Sequence, residues 1–72
     1  MTALERKTKK LRNALRDLYG DEPSETLITD ALADMRHLCD ADGVSYSAAD
    51  RIAQSHYLDE KTLQMRFQFD GA

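Results

Sequence analysis

The chain has 72 residues, one cysteine, one proline, three glycines and a formal charge of −3, which bounds it to one small domain that buries only about 60% of its unfolded surface. A single cysteine excludes an internal disulfide, and the absence of paired Cys-x-x-Cys motifs excludes the usual structural zinc site, so oligomerisation is the expected source of added stability. No apolar run reaches the roughly 20 residues of a membrane span, and none of signal-peptide length follows the early basic residues, so the sequence predicts a cytoplasmic protein with no membrane partner.

Charge is unevenly spread. Residues 1–19 hold six basic and two acidic residues, a net +4, whereas the remainder holds four basic and eleven acidic, a net −7. The predicted molecule is a basic helix joined to an acidic body, a polarity that a dimer, two different partners or water can each satisfy.

The first predicted element, residues 1–19, is this basic helix. Leu4, Leu11, Ala14, Leu15 and Leu18 form a helical stripe and Gly20 supplies a stop. Lys7 and Thr8 interrupt the stripe, so the first two turns are expected to fray or to pack against a partner. Gly20-Asp21-Glu22-Pro23 reads as a polar turn.

Residues 24–42 form the core helix. Pro23 and Ser24 mark its start, with the serine hydroxyl placed to accept from a free backbone N–H. Leu27, Ile28, Ala31, Leu32, Met35, Leu38 and Cys39 recur at three- and four-residue steps and define one broad apolar face. Asp30, Asp34 and Arg36 lie on the solvated side, and Gly43 stands where a left-handed residue ends a helix. Asp40 and Asp42 sit near the negative pole of the helix dipole, a mildly unfavourable place for acids.

A third helix is expected over residues 45–60. Ser45 or Ser47 can cap it, Ser47 and Asp50 resembling a capping box. Ala49, Ile52, Ala53, His56 and Tyr57 continue one face, and the short turn predicts antiparallel packing on the core helix. In residues 62–69 apolar and polar residues alternate, with Leu63, Met65, Phe67 and Phe69 on one side, which is a strand period. A lone strand cannot satisfy its own backbone, so this segment is expected to pair with its counterpart in a second subunit or to extend a partner's sheet. The alternative is that helix three runs on to about Met65, with Phe67 and Phe69 folding back on the core. The fold class is therefore mainly α, a small three-helix arrangement with a C-terminal β-strand, in a dimer.

His37, Cys39, Asp40, Asp42, His56 and Asp59 comprise the candidate metal ligands and nucleophile–base sets. His37 and Cys39 stand two apart on a helix, about 200° around it, and cannot converge on one ion. The expectation is that His37 and His56 border the core, that Cys39 is a small buried apolar residue, and that no metal, cofactor or catalytic set is present. Asp40-Ala41-Asp42-Gly43 lacks the spacing of a calcium loop and reads as a helix stop.

Ala31-Leu32-Ala33-Asp34-Met35-Arg36-His37-Leu38-Cys39-Asp40, then Gly43-Val44-Ser45-Tyr46, then Ala53 with His56-Tyr57, resembles a pattern of short, largely uncharacterised bacterial, phage and plasmid proteins. That pattern reads Leu-x-Asp-Leu-Arg-His-x-x-Asp, a Gly-Leu-x-Phe turn and Ala-x-x-His-Tyr. The resemblance covers roughly residues 27–60, with Met35, Val44 and Tyr46 as conservative departures. It implies a helical hairpin and a mobile-element origin, and carries over no catalytic residue. Arg36, His37, His56 and Tyr57 are its signature positions, with the expected job of tying the two helices together through a polar contact.

The function expected on these grounds is a non-enzymatic protein-binding module, as a homodimer. It would engage a protein partner through an acidic surface (Asp30, Asp34, Asp40, Asp42, Asp59, Glu60), the tail (Leu63, Met65, Phe67, Phe69), or both. A mobile-element origin makes an inhibitor of a host defence complex, of the anti-CRISPR kind, the particular expectation, since carboxylates mimic phosphates. The alternative is a nucleic-acid-associated regulator using Lys9, Lys10 and Arg12 of a dimer's basic helices.

Overall fold

The computed structural model describes residues 2–70, with side chains from 2 to 63. It contains three helices, α1 (Ala3–Tyr19), α2 (Ser24–Asp42) and α3 (Tyr46–Asp70). They divide into two compact units, Met1–Leu38 and Cys39–Ala72, so that α1 and most of α2 form the first and the last turn of α2 with α3 the second.

In the first unit, α1 starts cleanly. Thr2 lies in extended backbone and its hydroxyl accepts from the Glu5 N–H at 3.1 Å, while its carbonyl accepts from the Arg6 N–H at 3.1 Å. Thr2 and Glu5 stand at capping-box spacing, and Glu5 puts an acid at the positive end of the dipole. The first two turns are therefore helical rather than frayed. Thr8 fits the apolar stripe because its hydroxyl donates to the Leu4 carbonyl at 2.9 Å and so needs no other partner. Gly20 closes the helix at φ 100 and ψ 176, its N–H donating to the Arg16 carbonyl.

Ser24 is the first residue of α2, and the Pro23 carbonyl accepts from the Leu27 N–H at 3.0 Å. The cap position thus falls on Pro23, one residue before the serine to which the sequence points. Only Leu27, 1% exposed, and Ala31, 7% exposed, are buried among the described residues. They stand one turn apart, and Leu4, Leu15 and Tyr19 of α1 are half-buried. The broad apolar face of α2 is consequently covered along one line only. Ile28, Leu32, Met35 and Leu38, expected in the core, are exposed. The physical reason lies in α1, whose narrow leucine stripe is not wide enough to cover an apolar arc spanning well over a third of α2.

The second unit begins with the end of α2. Gly43 adopts φ 69, and the Val44 N–H donates back to the Cys39 carbonyl at 2.8 Å, the six-to-one bond of a Schellman motif. The Asp-Ala-Asp-Gly segment is thus a helix stop. Of the two candidate caps for α3, Ser45 is used: its hydroxyl accepts from the Ala48 N–H at 3.2 Å and its carbonyl from the Ala49 N–H at 3.1 Å. Ser45→Ala removes this cap and is expected to cost about 1 kcal/mol, read as a lower denaturation midpoint and faster hydrogen exchange at Ala48.

The segment 62–69, expected as a strand, lies within α3, and no strand occurs among the described residues. Two reasons outweigh the alternation. Extending an existing helix fixes one residue per bond, with no new nucleation cost, whereas a lone strand has no ladder partner. Glu60-Lys61-Thr62-Leu63-Gln64-Met65 also contains no breaker and is rich in good helix formers, with the Thr62 hydroxyl donating to the Leu58 carbonyl at 2.9 Å. The expected antiparallel packing of α3 on α2 would join the two units. Within its own unit, α3 buries none of its described side chains: Tyr46 is half-buried, and Ser47 to Leu63 are exposed.

Candidate functional site

The first unit carries a concave feature. Thr8, Leu11, Arg12 and Leu15 of α1 and Ser24, Leu27 and Ile28 of α2 line an open groove of about 160 Å³. Its walls are mostly apolar, with Thr8, Arg12 and Ser24 as the polar members, and Leu11 and Ile28 are both more than half exposed. The α1–α2 contacts advance together, residues 8–15 lying beside 24–28 and Tyr19 reaching Asp34. The four-residue link thus leads into α2 with its start beside the middle of α1, and the groove lies between the two.

The Tyr19 hydroxyl donates to Asp34 Oδ2 at 2.7 Å, a charge-assisted bond that ties the end of α1 to the middle of α2. The Asp34 carboxylate accepting this proton, with partial desolvation and the further negative charge of Asp30, holds the Tyr19 phenol above its ordinary value of 10.0. A folded-state pKa above the unfolded one stabilises the fold below pH 10 and loses that contribution as pH rises through the folded value. Thermal stability is accordingly expected to fall on the alkaline side of pH 10, and this fall to be absent in Tyr19→Phe, as a pH series of melting curves will read. Asp34→Asn should return the phenol toward 10, followed by ultraviolet absorbance.

The six acids proposed as a partner-binding surface are all exposed. Asp30 and Asp34 belong to the first unit, where both face Tyr19 and Asp34 is already engaged. Asp40, Asp42, Asp59 and Glu60 belong to the second. There Asp59 lies thirteen residues into α3, about 20 Å of helix from its start, so it cannot share a compact patch with the end of α2.

Of the tail residues, Leu63 is exposed, whereas the side chains of Met65, Phe67 and Phe69 lie outside the described ones. Lys9, Lys10 and Arg12 are exposed on α1; Arg12 lines the groove. Arg16 lies on Asp21 at 3.6 Å, an exposed pair of little energetic weight.

His37 and His56 are exposed rather than bordering a core, and Cys39 is half-buried rather than buried. No cluster of three or more metal-capable side chains occurs among the described residues. Lys61 Nζ stands 6.0 Å above the Tyr57 ring, a local contact one helical turn apart. The groove and the Tyr19–Asp34 bond are the features that sequence reasoning missed. Both arise from the approach of α1 to α2, for which helical periodicity carries no signal.

Taken together, these features define a mainly α-helical chain with an extensive apolar surface, and no helix among the described residues is long and apolar enough to cross a membrane. No family model, no curated protein and no solved structure matches the chain.

Proposed function

We propose that the chain is a non-enzymatic protein-binding module that works as a homodimer. One observation carries this reading. Among the described residues Leu27 is the single large side chain that is fully buried, while eleven large apolar side chains are exposed, ten of them spread over the three helices and Val44 between α2 and α3. Exposed apolar side chains that run together, as Ile28, Leu32 and Met35 do along one face of α2, mark a protein-interaction surface, and a fold with so little core gains most from a partner that covers it.

The acids supply the second half of the proposal. Asp40, Asp42, Asp59 and Glu60 are exposed carboxylates of the second unit. The Asp40–Asp42 pair at the end of α2 and the Asp59–Glu60 pair well along α3 would each suit a phosphate site on a nucleic-acid-binding protein, as an anti-CRISPR-like inhibitor would use them. Affinity capture of the tagged chain from a lysate, with and without nuclease, tests the reading. The expected result is a stoichiometric protein that survives nuclease and is lost from an Asp40→Asn, Asp42→Asn, Asp59→Asn variant. Recovery of nucleic acid, abolished by changing Lys9, Lys10 and Arg12 to Glu, would instead make the basic helix the working surface and defeat the proposal.

A further inference from the structure

The groove between α1 and α2 has a surround of opposite charges. On α1, Lys9, Arg12 and Arg16 recur at three- and four-residue steps, which places them along one flank of the helix beside the groove-lining Thr8, Leu11 and Leu15. On the α2 side, Glu22 and Glu25 bracket Ser24, another lining residue, and both acids are exposed. Beyond Ile28 the apolar wall continues along α2: Ile28, Leu32, Met35 and Cys39 are spaced four, three and four apart, the step of a coiled-coil seam. The first three are exposed, and they lie about 100° around α2 from the line through Leu27 that packs on α1.

We infer that this groove and the adjoining Ile28–Leu32–Met35 stripe are the seat of a second copy of the chain, paired about a two-fold axis. The inference rests on the homodimer reading above and assigns its interface. In a two-fold contact each patch meets itself inverted. The basic flank of one α1 then faces the Glu22–Glu25 edge of the other copy, and the reverse, so the patch is self-complementary in charge as well as apolar. A second copy is also the one partner present whenever the chain is made, which matters where two buried residues are all the core the described residues have. An unrelated acidic partner would satisfy the α1 flank and leave Glu22 and Glu25 facing like charge.

Sedimentation equilibrium of the full chain tests this with four variants, each checked for helicity by circular dichroism. Wild type is expected to dimerise, and Ile28→Asp to weaken association roughly tenfold to a hundredfold. Arg12→Glu and Glu25→Arg should each weaken it several-fold, and the double variant Arg12→Glu/Glu25→Arg should recover it. These two positions are exposed, so the swaps do not depend on the core surviving. A wild-type dimer indifferent to both swaps would overturn the groove as the interface while leaving the dimer reading intact. A wild-type monomer at every concentration would overturn both.

Discussion

Leu27→Ala is expected to cost about 2–5 kcal/mol and to melt the first unit, seen as loss of helical circular dichroism under conditions where wild type is folded. Leu27 is 1% exposed and the only large side chain so enclosed among the described residues. Its truncation removes the transfer free energy of three carbons and leaves a void between α1 and α2 with little surrounding core to close it. A small single domain has on the order of 5 kcal/mol in hand, so the loss is comparable to the whole. Leu18→Ala is the control. Leu18 belongs to the same leucine stripe of α1 but is 71% exposed, and its truncation should cost about 0.5 kcal/mol or less. Equal effects at the two positions would mean that Leu27 is not the centre of the unit.

Gly20→Ala comes second in size. At φ 100 and ψ 176 Gly20 occupies a backbone region essentially reserved for glycine, and a side chain there costs about 1–3 kcal/mol. A Cβ at this position would meet nothing within 4 Å, so the whole penalty is backbone strain, without a packing gain or clash to confuse it. Gly43, at φ 69, lies in the ordinary left-handed region, where alanine costs about 1–2 kcal/mol and asparagine less. Chemical denaturation should therefore rank Gly20→Ala as more damaging than Gly43→Ala, and Gly43→Asn as the mildest. The consequence at Gly20 reaches beyond stability. The link it opens is what returns α2 to the middle of α1, so the groove should loosen with it.

The local signals in this chain were legible and the tertiary ones were not. Gly20, Gly43 and Ser45 each mark a helix end by a mechanism confined to a few residues, and α2 runs between the very residues, Ser24 and Asp42, that its punctuation indicates. Thr2 with Glu5, at capping-box spacing, is a local signal of the same kind that the expectation of frayed first turns overlooked. The tail misleads because eight residues of alternation compete with a helix already running into them, and propagation decides the matter. The core misleads for a different reason. Periodicity shows that Ile28, Leu32 and Met35 share an apolar face, but whether that face is covered depends on the width of what packs against it, and α1 offers one leucine line. The acids share the same difficulty: Asp30, Asp34 and Asp59 look alike in sequence, and only the fold sets Asp34 on the Tyr19 hydroxyl and Asp59 far along α3.

In the proposed dimer, association completes this apolar surface. The most direct measurement is the thermal unfolding midpoint of the intact chain over a wide range of protein concentration. Coupled folding and self-association predict a midpoint that climbs steadily with concentration, and with it a cooperative transition that weakens on dilution. A midpoint that stays fixed and high across the whole range would show that the chain folds on its own with its apolar stripes bare, and would overturn the proposed dimer.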